Sequence, residues 1–91
     1  MEPAEPLEVL EEVFPESRRS IRVLSLFLSN PHESFTRYMV EKLTAVNKAG
    51  EILERLTSLG ILRLADENPR AYRLNTDNIL VKKLLRLLEQ L

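Results

Sequence analysis

The sequence predicts a small α+β domain that is mainly helical and carries one short β-hairpin. Residues 47–59 place apolar side chains at helical spacing, and Gly60 follows them as a stop signal. Two runs with alternating apolar residues, 61–65 and 71–74, then flank a polar turn, as the strands of a hairpin do. A leucine-rich segment, 78–90, predicts another helix after the hairpin.

A helix is also expected at 17–29, where Ser17 is a suitable cap and Asn30-Pro31 ends the pattern. Its first turns carry three arginines, which are unfavourable for the helix dipole at that end. The conflict is tolerable if these arginines meet an external acid. The three residues are Arg18, Arg19 and Arg22.

A second helix is expected from a cap at Thr36 or Ser34 to Leu43, and Asn47 is predicted to cap the third helix, 48–59. The second helix offers four apolar side chains for burial: Tyr38, Met39, Val40 and Leu43.

Composition excludes several classes of function. The 91 residues suit one domain, and they contain no cysteine and a single histidine, His32, in a predicted loop. Disulfides, thiol catalysis and thiolate metal sites are therefore excluded, and we expect no metal, no cofactor and no enzymatic activity. No apolar run approaches about 18 residues and the first residues are acidic, so we expect no membrane span, no signal peptide and a cytoplasmic location.

Charge is distributed unevenly along the chain. The net charge is −1, yet residues 1–16 hold six glutamates and no Lys or Arg. Residues 17–91 hold all 13 Lys and Arg residues against eight acidic ones, a net charge of +5. We therefore divide the chain into an acidic arm, 1–16, with a short helix expected at 7–14, and a basic domain, 17–91. The arm is either a solvated leader or an element of folding or regulation.

The pattern of residues 36–74 resembles a known family. The third helix has Ala49, Leu53, Leu56 and Leu59 at fixed spacing, followed by Gly60, Ile61 and Leu62. The second hairpin strand reads Ala71-Tyr72-Arg73-Leu74-Asn75, followed by a leucine-rich helix. These features resemble the winged helix-turn-helix core of archaeal and bacterial regulators of the ArsR and MarR type. The cysteine and histidine ligands of the metal-sensing members are absent here, so metal sensing is not implied.

The resemblance implies that the third helix enters a DNA groove and that the hairpin, or wing, meets the backbone. Asn47 can read adenine and Glu51 can accept from cytosine, while Gly50 would allow close approach. Hairpin arginines can hold phosphates with paired hydrogen bonds. The predicted DNA-binding residues are Arg37, Asn47, Lys48, Gly50, Glu51, Arg55, Arg63, Arg70 and Arg73. The alternative is a solvated surface, with Glu51 paired to Arg55 and Arg70 paired to Asp66 or Glu67.

The last helix, within 77–91, is expected to begin at a cap formed by Asn75, Thr76 or Asp77. It carries more apolar surface than a small body can cover, which predicts a homodimer. The predicted interface residues are Ile21, Leu24, Leu28, Leu80, Leu84, Leu87, Leu88 and Leu91.

The sequence thus favours a sequence-specific binder of double-stranded DNA that regulates transcription as a dimer. The alternative is a winged-helix protein-interaction module that belongs to a larger assembly and does not contact DNA. The acidic residues of the third helix, the acidic arm and the near-zero net charge favour that alternative.

Overall fold

The computed structural model describes residues 17–90, which form four helices and one antiparallel sheet. The predicted α+β fold is confirmed. The acidic arm, 1–16, and Leu91 lie outside the described residues. In chain order the elements are α1 (Arg18–Ser29), β1 (Ser34–Thr36), α2 (Arg37–Thr44), α3 (Gly50–Ser58), β2 (Leu62–Glu67), β3 (Arg70–Leu74) and α4 (Ile79–Glu89).

The sheet has three strands in the order β1-β3-β2, one more than the predicted hairpin. Phe35 pairs with Tyr72 across β1 and β3, and Leu62 pairs with Leu74 across β2 and β3. The register shifts between Leu64 and Asp66, where β2 carries an irregularity. Strand β1 was not predicted because three residues are too few to display an alternating pattern.

The core lies between the helices and one face of the sheet. The largest side chains with less than 2 % exposure come from six of the elements: Phe27, Leu53, Leu62, Leu74, Val23, Val40 and Val81. The rings of Phe27 and Phe35 meet edge to face with centroids 5.5 Å apart. On α1, Val23 is fully buried, whereas Ile21 and Leu24, which were predicted to lie in a dimer interface, are partly exposed.

The start of α3 differs from the prediction. The helix begins at Gly50 after Ala49, and Asn47 does not cap it. Residues 45–49 form a turn in which Ala45 and Lys48 have left-handed backbone angles, with φ of 58° and 54°. The carboxylate of Glu41 supplies the missing cap, since its Oε2 accepts a hydrogen bond from the backbone N–H of Ala49 at 2.8 Å.

The end of α3 agrees with the prediction. Gly60 follows the helix with φ of 79°, a left-handed angle that favours glycine. A Cβ added there would lie 3.2 Å from Nδ2 of Asn78. Asn78 caps α4, since its Oδ1 accepts hydrogen bonds from Leu80 N and Val81 N. The predicted caps at 75–77 were wrong, because the helix begins at Ile79 rather than Asp77 or Asn78.

Two helices present apolar side chains to solvent. On α2 only Val40 is buried, while Tyr38, Met39 and Leu43 are 70 %, 42 % and 58 % exposed, contrary to the expectation that they could be buried. On α4 three residues are more than half exposed: Ile79, Leu80 and Leu87. Within the described part of the chain, no helix has the length and apolarity needed to cross a membrane.

Candidate nucleic-acid interface

An open depression of about 590 Å³ lies in front of the first turn of α3. The first turns of α1 and α2 form two of its walls, and the turn before α3 forms a third. We call it the α3 groove; its lining residues are Arg19, Arg37, Glu41, Asn47, Lys48, Gly50 and Glu51. Four of the lining residues were predicted to bind DNA and lie at the start of α3 or in the turn before it: Asn47, Lys48, Gly50 and Glu51. Arg37 joins them from the first position of α2.

Arg19 connects α1 to the turn that precedes α3. Its Nη2 donates hydrogen bonds to the carbonyl oxygen of Asn47 and, at 3.4 Å, to that of Lys48. Both carbonyls belong to the turn that precedes α3, so α1 helps to set where α3 begins. The side chains of Asn47 and Lys48 stay exposed and available to a ligand.

A second depression of about 410 Å³ continues the groove along α1. It is lined by Arg18, Arg19, Arg22, Ala45, Val46, Asn47 and Lys48, and we call it the α1 depression. The α1 arginines were left out of the predicted binding set. One feature of the sequence could have identified them. Three cations at a helix N-terminus are unfavourable for the helix dipole, which is tolerable if they meet an external acid.

Glu41 brings the opposite charge into the same site. Its carboxylate holds the N–H of Ala49, at the end of α3 where the helix dipole favours an anion. Ala49 itself provides no side-chain cap. The groove therefore combines an internal carboxylate, which positions α3, with cations that face outward.

On the other side of α3, Glu54 links the helix to the hairpin. Its Oε1 accepts hydrogen bonds from Arg70 Nη1 at 3.0 Å and from the Tyr72 hydroxyl at 2.7 Å. Burial and then the hydrogen bond to Glu54 raise the pKa of Tyr72 above its ordinary value of 10.0. Arg70 thus pairs with Glu54 of α3, not with Asp66 or Glu67, the partners considered from sequence.

The three hairpin arginines lie on two faces of the sheet. Side chains alternate along β3, so Arg73 lies on the opposite face from Arg70 and Tyr72. Arg63 pairs directly across from Arg73, and its Nη1 is 4.0 Å from Asp77 Oδ2. Nε of Arg73 is buried without a hydrogen-bond partner. Of the three arginines, only Arg70 therefore lies on the side of the hairpin that meets α3.

The surroundings of Arg55 and Gly50 give neither residue a specific role. Arg55 is exposed on α3 and lines neither the α3 groove nor the α1 depression. A Cβ added at Gly50 would lie 3.5 Å from Cδ of Arg37, an ordinary van der Waals contact. No neighbour within the described chain therefore requires glycine at position 50.

The chemistry available in the groove is anion binding. Guanidinium and ammonium groups donate hydrogen bonds to phosphate or carboxylate oxygens, and the Asn47 amide can both donate and accept. Among residues 17–90, no group of three or more His, Asp or Glu side chains is gathered so that it could hold a metal ion. No family model, curated protein or solved structure matches the chain.

Proposed function

We propose that the protein is a winged helix-turn-helix that binds double-stranded DNA and regulates transcription. The observation that carries the proposal is the α3 groove, where cations of α1, α2 and the turn surround the exposed start of a helix. The element order supports it, since α2, a short turn and α3 are followed by the β2–β3 hairpin.

In this proposal the groove cations bind phosphates and the start of α3 faces base edges. Arg37 and Lys48 lie on either side of that start and are exposed. Asn47 suits adenine and Glu51 suits the amino group of cytosine. Arg70 can exchange Glu54 for a phosphate at little cost, because exposed ion pairs contribute only about 0–1 kcal/mol and both partners are about half exposed.

We also propose that two copies associate through α4. Exposed Ile79, Leu80 and Leu87 provide apolar surface that the described chain does not cover. Leu84 and Leu88 pack partly against the core, and Leu28 is only 6 % exposed, so these three contribute less than was expected from the sequence. Two α3 helices of a dimer would meet successive major-groove segments about 10 base pairs apart.

A protein-interaction module without DNA contact is the second candidate. The observation that favours it is the apolar surface of α2, formed by Tyr38, Met39 and Leu43. The acidic side chains of Glu51 and Glu54 on the exposed side of α3 also repel phosphate.

Fluorescence anisotropy of a random-sequence 30-mer duplex, titrated with the full chain at several salt concentrations, tests the proposal. The three groove cations, Arg19, Arg37 and Lys48, together with Arg70 of the hairpin predict a log–log slope of roughly −3 to −4. Lys48→Glu should weaken binding and flatten the slope, whereas the matched variant Lys82→Glu on α4 should change it much less. No binding at about 50 mM salt, or equal effects of the two variants, would contradict DNA binding through the groove and favour the interaction module.

A further inference from the structure

The α1 depression is a cationic surface directly beside the point where the acidic arm joins the described domain. Residues 1–16 connect to α1 through Ser17, and the next residues, Arg18, Arg19 and Arg22, line the depression. Lys48 adds a cation from the turn before α3. The described residues that line this depression include no acid.

The arm carries the complementary charge. It holds six glutamates and no Lys or Arg, and three of them, Glu11, Glu12 and Glu16, lie within six residues of Ser17. An extended chain spans about 3.3–3.6 Å per residue, so six residues reach roughly 20 Å. The attachment point therefore keeps these carboxylates at high effective concentration near the α1 arginines, without any requirement for a second molecule.

We propose that the acidic arm of the same chain occupies the α1 depression and excludes other anions from it. The arm carboxylates pair with Arg18 and Lys48, and Lys48 also lines the neighbouring α3 groove. Both depressions share Arg19, Asn47 and Lys48, so an anion in one competes with an anion in the other. The competition with DNA rests on the proposed function; the contact between arm and depression does not.

The contact can be measured without DNA by paramagnetic relaxation enhancement in the full chain. The protein contains no cysteine, so Val9→Cys provides a single site in the arm for a nitroxide label. At low salt, where the Debye length is roughly 30 Å, the amide signals of residues 45–48 should broaden strongly. At about 1 M salt, where that length falls to roughly 3 Å, the broadening should be lost.

Two charge reversals test which surface is involved. Arg18→Glu together with Lys48→Glu should remove most of the broadening at 45–48, while the matched control, Lys82→Glu together with Lys83→Glu on α4, should preserve it. Broadening that is spread evenly over the domain, persists at high salt, or survives the first pair of reversals would overturn the proposal. A mixture of ¹⁵N protein without nitroxide and ¹⁴N protein with nitroxide detects only contacts between molecules. Broadening at residues 45–48 in this mixture would overturn the assignment of the arm to the same chain.

A binding experiment tests the competition. Replacing Glu11, Glu12 and Glu16 by Gln in the full chain should tighten binding of the 30-mer duplex by about tenfold at low salt, since three exposed ion pairs no longer oppose it. The gain should shrink as salt rises. If neither the wild-type chain nor the glutamine variant binds DNA, the proposed function fails, while the relaxation experiment still decides whether the arm contacts the α1 depression. If both bind equally, the arm does not compete.

Discussion

Replacement of Glu41 by alanine should loosen the start of α3. The Glu41 carboxylate reaches from α2 and accepts the backbone N–H of Ala49 at 2.8 Å, and Ala49 has no side chain that could cap the helix. A glutamate in a capping box makes the same contact with the N-cap N–H from within its own helix. Here the contact joins two helices, so its loss affects both the helix end and the packing of the turn.

The magnitude follows from two contributions. Loss of a capping hydrogen bond costs about 1 kcal/mol, and loss of a carboxylate at a helix N-terminus costs about 0.3–1 kcal/mol. Glu41 is partly buried, so screening by solvent is incomplete. We therefore expect Glu41→Ala to lower the free energy of unfolding by about 1–2 kcal/mol, which corresponds to a fall in Tm of at least about 4–8 °C in a domain of this size.

Urea denaturation followed by circular dichroism measures the change. The matched variant is Glu41→Gln, whose amide oxygen can accept the same hydrogen bond but carries no charge. It should lose only the charge contribution, about 0.3–1 kcal/mol. Wild-type stability in the alanine variant would refute the reasoning, and so would equal losses in both variants, because the hydrogen bond would then contribute nothing.

Three further predictions concern the core, a glycine and pH. Phe27→Ala should lower the free energy of unfolding by about 3–5 kcal/mol, because the ring is fully buried, and thermal denaturation should detect it. Gly60→Ala should cost about 1–2 kcal/mol at φ of 79°, while Gly50→Ala, the matched control, should cost nothing in the same urea titration. The raised pKa of Tyr72 contributes stability that is complete below pH 10.0 and is lost as pH rises through the folded-state pKa, so Tyr72→Phe should show a weaker loss of stability in that window. Equal alkaline slopes for the two proteins would contradict this assignment.

The local pattern of the chain was sufficient for most of the elements. Helical spacing, the stop at Gly60 and the alternation in the hairpin strands predicted α3, β2 and β3 to within two residues at each end. These signals work because each depends on residues that are close in sequence. The helix starts were less accurate, since caps at Ala49 and Asn78 depend on turn geometry and, for Ala49, on a carboxylate from another helix.

The residues of the candidate site were also predicted in part. The sequence predicted Asn47, Lys48, Gly50 and Glu51 at the start of the third helix and Arg37 at the start of the second, and the structure gathers all five around one groove. It also predicted one cluster of hairpin arginines, but strand alternation separates Arg70 from Arg63 and Arg73. This separation could have been read from the alternating pattern itself, because residues 70 and 73 differ by an odd number.

The sequence by itself determined the class of fold, the order of the main elements and the uneven distribution of charge between residues 1–16 and residues 17–91. Tertiary structure alone decided which distant side chains meet. Arg19 reaches carbonyls 28 and 29 residues away, Glu54 joins Arg70 across 16 residues, and β1 pairs with β3. Such contacts depend on how whole helices and strands pack, which is a property of the complete core and not of any short stretch of chain.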